Sequence, residues 1–274
     1  MSIVSRRAPA FVGAATAFLI AAWPGATLAG SIPAGKPEDV GMSSERLARI
    51  GPAMQKHIDA GEIAGVVTLV ARRGRIVHFE AYGYSDVAKR TPMRTDAIFG
   101  LASSSKPITA VAIMMLVESG DILLSDPVSK YIPEFAAPPQ VALTRPGGPE
   151  GAFDLVPATR PITIRDLLTH GSGLLSGGVG QRAAGAIAQR GPQDTLATYI
   201  PKLGTVPLDF QPGTLWRYSG LAGFDVLSRI VEVVAQQPFD EYLRERIFEP
   251  LDMRDTSFNY TGRQADRLAA VHAR

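Results

Sequence analysis

The chain has 274 residues, of which 46% are apolar and 20% charged, a composition typical of a globular protein with a buried core. The formal net charge is only +2 and the Lys and Arg residues are scattered, so nucleic acid is not an expected partner. The sequence contains no cysteine, which excludes thiol catalysis, disulfides and cysteine-ligated metals. The four histidines lie far apart without metal-binding spacing, so neither a metal nor another cofactor is expected: His57, His78, His170 and His272.

Residues 1–29 have the pattern of a secretory signal peptide. Arg6 and Arg7 form a basic start, residues 8–22 are mostly apolar, and small residues up to Ala29 offer a cleavage site. A membrane span needs about 20 apolar residues, so an uncleaved anchor is the less favoured alternative. The pattern predicts a periplasmic or secreted protein, with no stable membrane span after cleavage.

The first elements of the mature chain are a helix and a hairpin. After Ser43, apolar residues recur at helical spacing at Leu47, Ile50, Met54 and Ile58, which predicts an amphipathic helix. Two β-rich runs then follow, over residues 66–71 and 76–82, on either side of a short glycine turn. This pattern predicts a β-hairpin.

A strongly apolar helix is predicted over residues 108–117. A helix that is apolar on all sides belongs in the middle of a domain. Pro107 is compatible with this helix only in its first turn. The prediction therefore places Ser103 at the helix N-terminus.

The second half of the chain is predicted to be mostly helix and loop. Residues 137–161 are rich in Pro and Gly and predict an irregular excursion, whereas Thr163 and Asp166 have the spacing of a helix cap. A glycine-rich loop covers residues 171–180, and helical patterns return at residues 221–235 and 239–248. An isolated two-stranded sheet is marginally stable, so either the sheet is very small or its other strands lie beyond residue 274.

Ser103 and Lys106 form a Ser-x-x-Lys motif, a pattern that can supply a nucleophilic serine. Residues three apart share one face of a helix, so the lysine amine can reach the serine hydroxyl. A serine needs a neighbouring base, and a lysine can serve where burial disfavours its ammonium form. The motif alone also fits a serine helix cap followed by an exposed lysine, so both interpretations stay open at this point.

Four segments in order resemble the serine β-lactamase and penicillin-binding superfamily, in particular the branch of class C β-lactamases, family VIII-type esterases and D-Ala-D-Ala carboxypeptidases. The segments are FGLASSSKPIT (99–109), DLLTHGSGL (166–174), WRYS (216–219) and EPLDMRDTSF (249–258). The resemblance implies an α/β (α+β) class of β-lactamase/transpeptidase-like fold, with a helical region packed on an antiparallel sheet.

The resemblance also implies roles for individual residues. Ser103 is the acylated nucleophile, Lys106 its proton partner, and Tyr218 a second base, although an aromatic anchor beneath the next helix is the alternative for Tyr218. His170 is a landmark that holds loops together rather than the base of a triad with Ser172. Ser176 lies among glycines and is expected to be a mobile residue at the pocket edge rather than a second nucleophile. The absence of a G-x-S-x-G motif argues against an α/β-hydrolase.

The chain departs from the superfamily at two places. Gly220 stands where the second motif, Tyr-x-Asn, usually has asparagine, which disfavours efficient β-lactam hydrolysis and suits an esterase. The third motif, Lys-Thr-Gly or His-x-Gly, does not occur before Arg274. Its strand supplies a second oxyanion donor, and losing one donor costs about 10²–10³ in rate. Residues 31–274 are therefore expected to form a domain that lacks its C-terminal strands and has impaired activity.

The predicted function is that of a serine hydrolase that forms an acyl-enzyme with a small-molecule ester, β-lactam or peptide. Esterase activity is favoured over efficient β-lactamase activity. A D-Ala-D-Ala carboxypeptidase remains an alternative, as does a catalytically impaired protein that recognises or binds penicillin. The presence of Ser103, Lys106 and Tyr218 favours an enzyme, whereas the missing third motif favours a binding protein.

Overall fold

The computed structural model describes residues 32–260 and 262–272. The signal peptide predicted over residues 1–29 lies outside the described residues. Within them, every helix is too short or too polar to cross a membrane.

The predicted N-terminal helix is confirmed but is broken in two. Helix α1 (Ser44–Leu47) begins where the Ser43 hydroxyl accepts a hydrogen bond from the Arg46 amide at 3.2 Å, and α2 (Ile50–Asp59) follows after two residues. The four apolar positions of the predicted stripe are half-buried, and their neighbours on the helix are mostly exposed. Helix α2 packs against strand β2 of the sheet that follows.

The predicted hairpin is also confirmed. Strands β1 (Gly65–Arg72) and β2 (Arg75–Asp86) pair antiparallel, with Leu69 opposite Phe79. A two-residue strand, β3 (Thr91–Pro92), joins the free side of β2 and gives the strand order β1-β2-β3. The hairpin is thus part of a small antiparallel sheet.

The irregular excursion predicted over residues 137–161 is wrong, because the segment contains a second hairpin. Strands β4 (Gln140–Thr144) and β5 (Phe153–Pro157) pair antiparallel, with Val141 opposite Val156. The Pro and Gly residues that suggested an irregular segment lie mainly in the connection between these strands. Val141 is fully buried, so the hairpin belongs to the core.

The core is helical and centres on two helices. Helix α3 (Lys106–Glu118) packs against α7 (Ala222–Ala235), with Ile113, Leu227 and Ile230 inaccessible to solvent. The expectation that α3 is buried on all sides is wrong, since Val111 and Met114 are about half exposed. Helix α3 therefore has one buried face, and that face begins at Lys106.

Shorter helices complete the helical region. The predicted cap is confirmed: the Thr163 hydroxyl and the Asp166 carboxylate bond reciprocally to backbone amides at the start of α4 (Ile164–Leu168). The remaining helices are α5 (Val179–Ala184), α6 (Leu196–Tyr199) and α8 (Phe239–Leu243), and α8 continues as a π-helical turn over Arg244–Phe248.

Helices and antiparallel sheets in one chain confirm the predicted α+β class.

Candidate active site

Ser103 lies in a tight turn that leads directly into α3. Residues Ala102–Ser105 form a 3-10 turn, and Pro107 occupies the first turn of the α-helix, as predicted. Ala102, the residue before the serine, has a φ of 43°, a left-handed conformation that is costly for a residue with a side chain. The Ser103 amide donates to no acceptor among the described residues. It is therefore free to bond a substrate oxygen.

The structure brings the three predicted catalytic side chains together. The Lys106 ammonium donates to Ser103 Oγ at 3.2 Å, and the Tyr218 hydroxyl donates to the same oxygen at 2.7 Å. A second Lys106 bond, to the Gly220 carbonyl at 2.6 Å, ties α3 to the segment that carries Tyr218. Lys106 is only 9% exposed, which is incompatible with the alternative of a surface lysine behind a helix cap. The catalytic roles of the three residues stay predictions.

Lys106 also sets the electrostatics around Tyr218. The ammonium nitrogen lies 5.0 Å from the centre of the Tyr218 ring. The neighbouring Lys106 lowers the pKa of Tyr218 most, and the hydrogen bond with Ser103 lowers it further. A positive neighbour favours the phenolate, which is the form of tyrosine that can accept a proton.

His170 holds the tyrosine segment rather than contacting the nucleophile. Its Nδ1 accepts a hydrogen bond from the Ser219 amide at 3.2 Å, and its carbonyl accepts one from the Arg217 amide at 3.1 Å. The imidazole ring centre lies 4.7 Å from that of Tyr218. Burial, with a smaller contribution from the Lys106 charge, lowers the pKa of His170 and so favours the neutral ring that can accept at Nδ1. This geometry supports the predicted structural role.

Ser176 is not at the edge of the pocket, which corrects the expectation from sequence. It is only 6% exposed, and its amide donates to the Asp209 carboxylate at 2.6 Å. The other Asp209 oxygen accepts from the Gln181 amide at 2.9 Å. Asp209 thus ties the glycine-rich loop to the start of α5, and no motif in the sequence singles it out.

Next to Ser103 and Lys106 the structure has a cleft of about 680 Å³, and Tyr218 is not one of the residues that line it. Ser103 and Lys106 lie on its wall, together with aromatic residues from several elements and with Asp225 and Ser228 of α7. Nothing in the sequence points to Asp225, because only the packing of α7 on α3 places it in the same cleft as the serine. Over residues 32–260 and 262–272, no group of three or more His, Asp or Glu side chains could hold a metal ion.

Comparison with known proteins identifies the family. The family model described as Beta-lactamase matches residues 50–274. The chain belongs to this family. It is 35% identical over 219 residues to esterase EstB of Burkholderia gladioli, and 36% identical over 221 residues to the lovastatin esterase of Penicillium rubens. The two alignments cover 77% and 79% of this chain, but 51% and 54% of the relatives.

A solved structure shows the same relationship. EstCE1, described as a hydrolase with promiscuous acyltransferase activity, matches with a TM-score of 0.69 and 32% identity. The match covers 81% of this chain and 55% of EstCE1. The β-lactamase/transpeptidase-like fold is therefore confirmed, and the chain spans about half the length of the relatives that it matches.

Proposed function

We propose that this chain carries the catalytic centre of an esterase that works through an acyl-enzyme on Ser103. The observation that carries the proposal is the position of Ser103 Oγ, held between the Lys106 ammonium at 3.2 Å and the Tyr218 hydroxyl at 2.7 Å. A serine becomes a nucleophile when an adjacent group can take its proton. Both neighbours here are ionisable, and Lys106 favours the phenolate of Tyr218.

The proposed acylation step begins as Ser103 Oγ attacks the ester carbonyl and gives its proton to the Tyr218 phenolate. The Ser103 amide donates to the carbonyl oxygen as that oxygen becomes negative. Breakdown of the tetrahedral intermediate breaks the bond to the alcohol, which leaves with the proton held by Tyr218. The products of this step are the acyl-serine and the free alcohol.

Deacylation then follows the same route in reverse. Water attacks the acyl-serine as Tyr218 accepts a proton from the water. The bond between the acyl group and Ser103 Oγ breaks, and the serine recovers its proton. The Lys106 ammonium, fixed by the Gly220 carbonyl, supplies a constant positive charge beside the phenolate through both steps.

Two observations support an ester substrate rather than a β-lactam. Gly220 has no side chain to contact a substrate amide, and it contributes only its carbonyl to Lys106. In addition, two relatives at 35% and 36% identity are described as esterases. The natural ester is a matter for substrate profiling, because pocket shape rather than fold determines it.

Hydrolysis of p-nitrophenyl butyrate by the purified chain tests the proposal. We expect turnover that disappears in Ser103→Ala and falls by about 10²-fold or more in Lys106→Ala and Tyr218→Phe. Ser104→Ala is the matched control, because it removes an exposed neighbouring hydroxyl and should leave the rate unchanged. Turnover that survives in Ser103→Ala would overturn the proposal. A lasting fluorescent penicillin adduct on Ser103 without ester turnover would favour the binding protein instead.

We also propose that the protein is exported to the periplasm or secreted. Support comes from the basic pair Arg6-Arg7, the apolar residues 8–22 and the small residues up to Ala29. Expression in a bacterial host should yield a processed N-terminus near residue 30 in the periplasmic fraction. An unprocessed N-terminus in the cytoplasmic fraction would contradict the proposal.

A further inference from the structure

Asp225 is an acidic residue of the cleft that the proposed mechanism does not use. It lies in the first turn of α7, half-buried, on the wall of the cleft that also contains Ser103 and Lys106. Its carboxylate accepts no hydrogen bond and forms no ion pair with any residue in the described part of the chain. Among the described residues, Ser176 Oγ is the only fully buried side-chain oxygen or nitrogen without a hydrogen bond, so the unpaired Asp225 oxygens still contact solvent and a ligand in the cleft can reach them.

The surrounding residues compensate the Asp225 charge only in part. Burial raises the pKa of Asp225, and the more distant charges of Arg190 and Lys106 only partly oppose this effect. The Lys106 ammonium is already engaged by the Gly220 carbonyl and Ser103. A cation supplied by a ligand would therefore find a carboxylate that lacks a partner.

The rest of the cleft suits a cation that carries apolar substituents. Its walls include several aromatic rings, contributed by Phe99, Phe224, Phe239, Phe248, Phe258 and Tyr260. Aromatic faces attract cations, and quaternary ammonium groups are recognised in this way. Within the cleft itself the Lys106 nitrogen already lies 5.7 Å from the centre of the Phe224 ring.

We propose that Asp225 and the aromatic walls bind a substituted ammonium group on the ester substrate, so that Asp225 is a specificity-determining residue. The consequence for turnover depends on the proposed esterase function, whereas the binding of a cation does not. An alkylammonium group fits both features of the cleft, since its charge meets the carboxylate and its carbon substituents meet the rings.

Butyrylcholine and 3,3-dimethylbutyl butyrate test the specificity, because the two esters have the same shape and differ by one charge. We expect the protein to prefer the cationic ester in kcat/KM, and Asp225→Asn to reduce that preference about ten-fold. Asp225→Glu, which keeps the charge, should retain most of the preference. Asp39→Asn removes an exposed carboxylate outside the cleft and should leave the preference unchanged. An equal fall in kcat/KM for both esters in Asp225→Asn would overturn the proposed specificity.

Binding of choline and 3,3-dimethyl-1-butanol provides a second readout that needs no catalysis. Calorimetry with the intact chain should show tighter binding of choline, and Asp225→Asn should remove the difference. If p-nitrophenyl butyrate and both of these esters are left unhydrolysed but choline still binds through Asp225, the esterase proposal fails and the cation site stands. If choline binds no tighter than the alcohol, the cation site is refuted, whatever the esterase assays give.

Discussion

The three side chains that we propose to be catalytic come from two distant parts of the chain. Ser103 and Lys106 lie one helical turn apart, whereas Tyr218 is 115 residues further on than Ser103. The spacing of Ser103 and Lys106 predicts their contact, because side chains three apart share a helix face. Tyr218 could be proposed only through resemblance, since no local pattern joins it to Ser103. Neither local spacing nor family resemblance predicts a role for Asp225, and only the packed structure places it in the cleft.

The lowered pKa of Tyr218 gives a prediction at the scale of single residues. Because Lys106 favours the phenolate, Tyr218 should titrate at lower pH than an ordinary tyrosine, and Lys106→Met should move its titration to higher pH. Ultraviolet difference spectra of tyrosinate formation, recorded against Tyr218→Phe, isolate this one group among the seven tyrosines. An unchanged titration in Lys106→Met would show that the ammonium does not control the phenol.

At the scale of elements, the loop around His170 holds the segment that carries Tyr218. His170 has a φ of 57° and bonds to the Arg217 and Ser219 amides on either side of Tyr218. Its side chain thus acts through the backbone of the tyrosine segment. The four-residue motif Trp216–Ser219 has no helix or strand to fix it, which explains the need for such an anchor.

Replacing His170 should lower activity by displacing Tyr218. We expect His170→Ala to reduce kcat of ester hydrolysis about ten-fold with a smaller change in KM, because the Ser219 amide loses its acceptor. His170→Asn is the conservative variant, since asparagine tolerates positive φ and offers an acceptor. It should recover part of the rate. Equal rates for the wild type and His170→Ala would refute the positioning role.

The glycine-rich loop gives a stability prediction for a second element. Gly173 has a φ of 74°, and a Cβ at this position would lie 2.5 Å from the Phe210 carbonyl oxygen. Gly173→Ala should therefore lower the free energy of unfolding by about 2–3 kcal/mol. Gly100→Ala is the control, because its backbone is unstrained and the space around it is open. Urea denaturation measures the free energy of unfolding of both variants. Equal values for Gly173→Ala and Gly100→Ala would contradict the steric argument.

The elements differ in how far their sequences predict them. The helices at residues 44–59 and 222–235 were predictable because their apolar residues recur at helical spacing. The β4–β5 hairpin was not, because its turn is rich in Pro and Gly and its two strands are short. Pairing of Val141 with Val156 is a tertiary outcome that local periodicity does not encode.

At the scale of the whole molecule, the described part of the chain combines a helical core with two small antiparallel sheets. The fold class was predictable only from the resemblance of the four segments to the family. The prediction that further strands lie beyond Arg274 stays a prediction. The packing of α3 on α7 is the feature that joins fold to function, because it brings Lys106 close to Gly220.

Asp126 gives a prediction for the stability of the molecule in acid. Hydrogen bonds from Lys130 and then Tyr131 lower the pKa of Asp126 from 3.8 to about 2. The stabilisation of the folded state by ionised Asp126 is therefore fully present above pH 3.8 and is lost as the pH falls towards 2. Asp126→Asn should destabilise the protein by about 1–3 kcal/mol at pH 7 and pH 5, and by less at pH 3. Urea denaturation at the three pH values measures the difference in free energy of unfolding between the wild type and Asp126→Asn, with Asp39→Asn as the control. A difference that did not shrink in acid would contradict this prediction.

Covalent labelling by a fluorophosphonate, with the modified peptide identified by mass spectrometry, tests the assignment of the nucleophile most directly. We predict a single phosphonyl adduct on Ser103 that is absent in Ser103→Ala, present in Ser104→Ala and formed more slowly in Lys106→Met. Labelling of Ser172 or Ser176 instead, or an adduct that persists in Ser103→Ala, would contradict the account.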